Sequence, residues 1–143
     1  MDRLTREQRS KNMQAVRSKG TNIENLLAKE LWRRGFRYRK NNKTVFGKPD
    51  LTFKKYKIAI FVDGEFWHGK NWNEENDKIN TNRDFWIKKI SNNIKRDKEV
   101  NDYLLKNGWK VIRFWGRQIE TDLVNCVLKI ENKINEAKRN NNN

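Results

Sequence analysis

Ile58-Ala-Ile-Phe-Val62 is the most apolar stretch of this chain, and Asp63-Gly-Glu-Phe-Trp-His68 follows it directly. A strand of five apolar residues must pass through a buried core, so the polar residues at its exit are held at the rim of a sheet. His68 is the only histidine in the sequence. The stretch therefore predicts a central strand that delivers acids, one imidazole and two bulky aromatics to a single place. A core strand followed by an ordinary surface turn is the alternative.

The charge composition indicates a partner that carries phosphates. The 143 residues include 33 Lys and Arg against 18 Asp and Glu, a formal net charge of +15 with a pI near 10.1. The surplus is denser in residues 1–45, which hold 13 basic and 4 acidic side chains. Such a surplus is typical of proteins that bind nucleic acid. An anionic membrane is a weaker alternative, because no apolar stretch is long enough to span a bilayer.

Length and cysteine content limit the organisation of the chain. A single domain covering residues 1–139 is expected, because a chain of 143 residues buries enough surface to fold without disulfide bonds or a structural metal. The first residues lack the apolar core of a signal peptide, and the single cysteine, Cys126, excludes an internal disulfide. These features predict an intracellular, cytoplasmic protein in which Cys126 packs among apolar neighbours.

Capping signals predict two helices before the central strand. Thr5 and Thr21 each begin a capping box, with Gln or Glu three residues later. The first signal predicts a basic helical arm within residues 1–20. The second begins an amphipathic helix that ends before Gly35.

A hairpin is expected to bring two carboxylates together. Pro49 marks a strand entry, residues 51–53 follow as a strand, and the chain reverses at Lys54-Lys55. Residues at equal distances from a turn lie opposite each other, so Asp50 comes within side-chain reach of Asp63.

The second half of the chain adds helices and one more strand. A helix is predicted from Thr81 to about residue 107, a strand over residues 109–115 and a last helix over about residues 120–138. Residues 140–143 are all Asn and are expected to form a disordered tail. The order of elements predicts an α/β fold with a mixed central β-sheet flanked by helices.

Two carboxylates beside one imidazole, in a basic protein, favour phosphodiester hydrolysis. Carboxylate oxygens are suitable ligands for Mg²⁺, and an imidazole with a reference pKa of about 6.5 can deprotonate water near neutral pH. Pro-Asp and Asp-Gly pairs are also common in turns, so this spacing alone does not decide the chemistry.

Several short motifs resemble, in order and spacing, the very-short-patch mismatch repair endonucleases. They are Arg9-Ser-Lys-Asn-Met13, Gly47-Lys-Pro-Asp50, Phe61-Val-Asp-Gly-Glu-Phe-Trp-His68, Phe85-Trp86, Lys88-Lys89-Ile90, Asn93, Arg96-Asp97, Gly108-Trp-Lys-Val-Ile112 and Trp115. The resemblance covers about residues 9–117. It implies a restriction-endonuclease-like core, Mg²⁺ as cofactor, and an activity that nicks one strand of double-stranded DNA beside a thymine–guanine mismatch.

The resemblance also implies catalytic roles for individual residues. Asp50 would bind the metal, with the backbone carbonyl of Val62 as a second ligand. His68 would be the general base, or would position the attacking water, with Glu24 as its partner. Asp63 would support metal-bound water. On the alternative interpretation, Glu24 is only a capping residue and Asp50 is only a turn residue.

Two further groups are implied to contact DNA. The aromatics Phe66, Trp67 and Trp86 match side chains that wedge into the DNA stack, and core packing is the alternative. Arg9, Lys11 and Asn12 of the basic arm would lie along the DNA, and a solvated helix face is the alternative.

One departure from the resembled family concerns zinc. Its members often carry a structural zinc bound by cysteine and histidine, and the matching positions here are Glu65, Lys70, Trp72 and Arg117. A tetrahedral thiolate site cannot form with one distant cysteine. No structural zinc is therefore expected, and packing, with Trp72 over the core, is expected to hold this region.

Two other functions stay open on the sequence alone. A related nuclease of a restriction or defence system would cut intact DNA, and a catalytically dead module would only bind it. A monomer is expected, with repair proteins or a DNA methyltransferase as candidate partners.

Overall fold

The computed structural model of the chain describes residues 22–72, 79 and 81–141. The helices are α1 (Asn22–Arg33), α2 (Arg83–Lys106), α3 (Gly116–Thr121) and α4 (Leu123–Asn141). The strands are β1 (Arg39–Lys40), β2 (Leu51–Phe53), β3 (Ile58–Asp63) and β4 (Lys110–Trp115). The predicted basic arm, with Arg9, Lys11 and Asn12, lies outside the described residues, so its helix and its DNA contacts stay predictions.

The four strands form one mixed sheet in the order β1-β2-β3-β4. The β1–β2 and β2–β3 pairs are antiparallel, and β3 runs parallel to β4. A short 3-10 turn, Lys54–Tyr56, reverses the chain between β2 and β3, and Lys57 completes the reversal with a φ of 52°. The hairpin and the mixed sheet predicted from the sequence are confirmed.

Helices cover both faces of the sheet. On one face Ile58 and Ile60 pack with residues of α1 and α4, including Leu31 and Ile130. On the other face Ala59 and its neighbours pack against α2. Because alternate residues of a strand point to opposite faces, β3 feeds both layers and is the central buried strand that the apolar run predicts.

The C-terminal elements differ in detail from the prediction. The last helix is divided into α3 and α4 by Asp122, whose φ of −147° and ψ of 52° are not helical. The second part continues to Asn141, so residues 140 and 141 extend the helix where a tail was expected. Cys126 is buried in the core, as predicted.

The start of α2 also differs from the start predicted at Thr81. The helix begins at Arg83 after Asn82, which has a left-handed φ of 51° and makes no side-chain cap bond. The turn that introduces the helix thus depends on the tolerance of Asn for the left-handed region. Within the described part of the chain, no helix has the length and apolar character needed to cross a bilayer.

Candidate active site

The parallel pair β3–β4 and helix α2 bring four polar side chains together. Asp63 is the last residue of β3 and lies opposite Trp115 in the ladder. Alternation places Asp63 on the same face as Phe61, the face that α2 covers. Asp97 comes from α2 and Arg113 from β4, and His68 follows in the turn after β3.

His68 is fixed by its backbone and by its ring. Its N–H donates to the carbonyl of Gly64 at 3.0 Å, which closes the turn after β3. Its Nδ1 lies 2.6 Å from Oδ2 of Asp97 and 3.7 Å from Oδ1 of Asp63. With the proton on Nδ1 and donated to Asp97, Nε2 is the ring atom that can accept a proton.

Arg113 supplies the positive charge at the centre of the cluster. Its Nη1 donates to both oxygens of Asp63, at 3.1 and 3.0 Å, and lies 3.7 Å from Oδ1 of Asp97. Its Nε donates to Oδ1 of Asn101 at 2.7 Å, and the guanidinium lies 4.0 Å from the ring centroid of Phe61. One cation therefore balances two carboxylates around the imidazole.

The surroundings raise the pKa of both ionisable groups at the end of β3. Burial favours a neutral imidazole, but the hydrogen bond to Asp97 and the charges of Asp63 and Asp97 outweigh it, so the pKa of His68 is raised. Burial also raises the pKa of Asp63, although His68 and Arg113 oppose that effect. The imidazole is thus held closer to its charged form than a free histidine at neutral pH.

An open cavity of about 280 Å³ lies over this cluster. The cluster residues line it together with Ile94, Lys98 and Asn101. Lys98 is exposed, so a cation stands beside the cavity. A liquid water occupies about 30 Å³, so the cavity has room for a phosphate group and several waters.

Asp50 lies at the neighbouring strand end and is buried, with 4% of its surface exposed. Its Oδ2 accepts the backbone N–H of Val62 at 2.7 Å. The β2–β3 register continues from Leu51 opposite Ile60 to Asp50, so the carboxylate reaches the end of β3 as the predicted hairpin requires. Asp63, His68 and Asp97 form a group whose possible metal-ligand atoms lie within 4.8 Å of one another. Asp50 does not belong to this group.

At Nδ1 the imidazole is paired with Asp97 of α2, a residue to which the resemblance gave no role. Glu24 lies in the first turn of α1, which packs on the face of the sheet opposite to α2. The role of Glu24 as a partner of His68 stays a prediction.

The predicted aromatics form one cluster beside the site. The ring centroids of Phe66, Trp67 and Trp86 lie 5.3–5.4 Å apart in pairs. Phe85 extends the cluster at 5.1 Å from Trp86. Phe66 and Phe85 are 47% and 56% exposed, and Lys89 Nζ lies 5.9 Å from the rings of Trp67 and Phe85. Core packing therefore does not account for the whole cluster.

No role was predicted for Asp97 or Arg113, although the sequence pattern contains a signal for each. Asp97 lies in the stripe of Ile90, Val100 and Leu104, the buried residues of α2 at helical spacing. Arg113 alternates with Val111 and Trp115 on one face of β4. A charged residue inside an otherwise apolar stripe must pair with a buried partner. The charged residues at these two apolar positions were therefore the signal in the sequence.

Removal of the central cation should destabilise the protein. Arg113→Met leaves Asp63 buried without its main partner, and the free energy of unfolding is expected to fall by about 3 kcal/mol at neutral pH. The loss should shrink as the pH falls through the raised pKa of Asp63, because a protonated carboxyl needs no cation. Denaturant unfolding at several pH values measures both effects.

Two controls accompany this measurement. Arg33→Met breaks an exposed pair with Glu30 and should change stability little. Adding Asp63→Asn to Arg113→Met should recover part of the loss. Equal losses for Arg33→Met and Arg113→Met would contradict the role given to the buried pair.

Known proteins resemble this chain in sequence. The family described as DNA mismatch endonuclease Vsr matches residues 1–74. Type II nicking enzyme V.HpaIIP of Haemophilus parainfluenzae is 56% identical over 137 residues, which are 95% of this chain and 97% of that protein. Type II nicking enzyme V.NmeDIP of Neisseria meningitidis serogroup C is 52% identical over 136 residues, or 95% and 92% of the two chains. DNA mismatch endonuclease Vsr of Escherichia coli (strain K12) is 35% identical over 120 residues, or 80% and 76%.

The two nicking enzymes match nearly the whole chain, and the family model matches its first half. They confirm the resemblance that the short motifs indicated, and they exclude a chance arrangement of common turn sequences. The chain belongs to the Vsr family of DNA mismatch endonucleases, and it is a DNA endonuclease.

Proposed function

We propose that this endonuclease nicks one strand of duplex DNA beside a thymine–guanine mismatch and that it requires Mg²⁺. The observation that carries the proposal is the His68–Asp97 pair, balanced by Arg113, next to the strand end where Asp50 is buried. The name of the Escherichia coli relative, DNA mismatch endonuclease, supports the choice of substrate.

The oxygen donors at the ends of β2 and β3 fit Mg²⁺. This cation prefers carboxylate and carbonyl oxygens, and the Asp50 carboxylate and the Val62 carbonyl are of that kind. The group of Asp63, His68 and Asp97 offers a mixed set of nitrogen and oxygen, and Arg113 already balances its carboxylates. We therefore assign the metal to Asp50 and Val62, where it would neutralise charge on the phosphoryl group.

His68 is the proposed general base. Asp97 orients the ring through Nδ1, which leaves Nε2 to accept a proton from the attacking water. Asp63 holds Arg113 in place and adds negative charge that stabilises the imidazolium formed in that step. The intact set of these residues argues against a catalytically dead binding module.

The aromatic cluster is the proposed mismatch reader. Insertion of apolar wedges between base steps costs a few kcal/mol of unstacking per step, and the cost is smallest where pairing is already faulty. Phe66 and Phe85 are the most exposed members and would enter first. Lys98, an exposed cation of α2, lines the cavity and would contact a phosphate.

The remaining parts of the proposal concern the fold, the oligomeric state, the location and the partners. We propose a restriction-endonuclease-like core, supported by the mixed sheet with helices on both faces. The chain is proposed to act as a monomer inside the cell, with repair proteins or a DNA methyltransferase as partners.

A second candidate function keeps the chemistry and changes the substrate. V.HpaIIP and V.NmeDIP carry the name type II nicking enzyme, which does not mention a mismatch. On this alternative the enzyme would serve a restriction or defence system and nick intact duplex.

A nicking assay separates the two candidates. Matched duplexes and duplexes with one thymine–guanine pair are incubated with and without Mg²⁺, and the nicked strand is quantified. We expect nicking only with Mg²⁺ and a preference for the mismatch of on the order of 10- to 100-fold, because a difference of a few kcal/mol in unstacking has that effect. Trp67→Ala should reduce the preference. Equal nicking of both duplexes would exclude the mismatch assignment.

A further inference from the structure

The segment that carries the aromatics and His68 leaves β3 and must be held in place by contacts outside the sheet. On its α2 side, Asn93 Nδ2 donates to the carbonyl of Trp67 at 2.8 Å. Gly69 packs so closely against α2 that an added Cβ would lie 2.5 Å from Cδ1 of Ile94. These contacts fix one side of the segment, and a different contact fixes the other.

Glu65 makes that second contact. Its Oε1 accepts the backbone N–H of Arg117 at 2.7 Å, in the first turn of α3. Gly116 lies next to the bond, with Oε2 of Glu65 at 3.7 Å from the position that a Cβ would take. The backbone carbonyl of Glu65 also accepts the N–H of Lys70 at 2.9 Å, so the same residue closes the turn around His68.

We propose that Glu65 is a positioning residue that ties the His68 segment to the start of α3 in place of a structural zinc. The residues at the four positions matched to zinc ligands do not fit a zinc ion. Lys70 and Arg117 are cations, and Trp72 offers only an N–H donor. Two of these positions are instead joined directly, through the Glu65 carboxylate and the Arg117 N–H.

The physical chemistry of the bond suits this purpose. The first N–H groups of a helix have no partner within the helix, and a carboxylate that accepts one of them makes a short, charge-assisted bond. The bond joins residues 52 positions apart. It therefore joins the segment that follows β3 to the segment that follows β4. Loss of the bond would let His68 and Trp67 move together.

The inference rests on the proposed function for its kinetic effect. A displacement of about 1 Å in a catalytic group can cost on the order of 100-fold in rate. Glu65→Ala is accordingly expected to lower kcat for nicking about 10- to 100-fold with a smaller change in KM. Glu65→Gln keeps an acceptor oxygen of the same reach and should stay within a few-fold of the unaltered protein.

Two further variants test the bond. Arg117→Pro removes the donated N–H together with the Arg117 side chain, and it should reproduce Glu65→Ala. Gln118→Ala is the matched control. It removes a different bond at the start of α3, from the Trp115 N–H to the Gln118 side chain at 2.9 Å, without touching the His68 segment.

A second readout does not depend on nicking. His68 is the only histidine, so its imidazole gives a single set of NMR signals. We expect these signals to shift or broaden in Glu65→Ala and Arg117→Pro and to stay unchanged in Glu65→Gln and Gln118→Ala. Metal analysis of the purified protein should find no stoichiometric zinc, and a zinc-selective chelator should leave the nicking rate unchanged.

Several results would overturn the inference. The first is that Glu65→Ala leaves both kcat and the imidazole signals unchanged. The second is that Gln118→Ala lowers kcat and shifts the imidazole signals as Glu65→Ala is expected to do. The third is zinc bound at one equivalent. If Glu65→Ala does not fold, the test rests on Arg117→Pro. Unchanged kcat and imidazole signals in Arg117→Pro would then exclude a positioning role for the bond between Glu65 and Arg117. A protein that nicks no duplex at all would instead refute the proposed function, while the imidazole signals would still test the role of Glu65.

Discussion

Replacement of Asp50 with alanine is expected to abolish Mg²⁺-dependent nicking while leaving duplex binding intact. Asp50 is the proposed metal ligand, and loss of several kcal/mol of charge stabilisation on the phosphoryl group corresponds to a rate lower by on the order of 10³-fold or more. Single-turnover nicking and a binding titration on the same duplex measure the two effects separately.

Two variants make this result interpretable. Asp50 accepts the Val62 N–H, so Asp50→Asn, which retains an acceptor oxygen, separates loss of the metal ligand from loss of that bond. Asp102→Ala removes an exposed carboxylate of α2 and should nick normally. Comparable turnover by Asp50→Asn and the unaltered protein, at the same Mg²⁺ concentration, would refute the metal role of Asp50.

Replacement of His68 with alanine should lower the nicking rate by on the order of 10²–10⁴-fold, the usual contribution of a general base. Binding should change little, because the imidazole is proposed to act on water and not on the duplex. Single-turnover rates under saturating enzyme give this number directly. A loss of less than about tenfold would remove His68 from the catalytic step.

The pH dependence provides an independent check on the same residue. A general base works only when neutral, so the rate should rise with pH through the pKa of His68. That pKa is raised, and the acid limb should therefore lie above pH 6.5. Burial lowers the pKa of His68, and the negative charge of Asp97 opposes that effect. Asp97→Asn removes this charge, so the acid limb of the pH–rate profile should move to lower pH. An acid limb in the same place in both proteins would contradict the pairing.

Much of the fold could be predicted because local patterns and tertiary structure agree along β3. The apolar run has the length of a buried strand, and the reversal at Lys54–Tyr56 sets the register that brings Asp50 to Val62. The aromatics were found together because two of them are neighbours in sequence and the third begins the helix that packs beside them.

The remainder of the site depends on contacts between residues far apart in sequence. Asp97 and Arg113 meet Asp63 only because β4 lies parallel to β3 after a helical crossover, and no local pattern specifies that register. The sequence predicts that no structural zinc binds, but it could not show that Glu65 would reach Arg117. The break at Asp122 was also missed, since helical periodicity continues on both sides of it.

The parallel pairing of β3 with β4 has a consequence for synthesis of the protein. The ladder joins Asp63 to Trp115, so a nascent chain that has only reached the end of α2 contains Asp50, His68 and Asp97 but not Arg113. Such a chain lacks both the cation of the cluster and the strand that carries it. On the proposed mechanism, the site is therefore complete only after β4 has been synthesised.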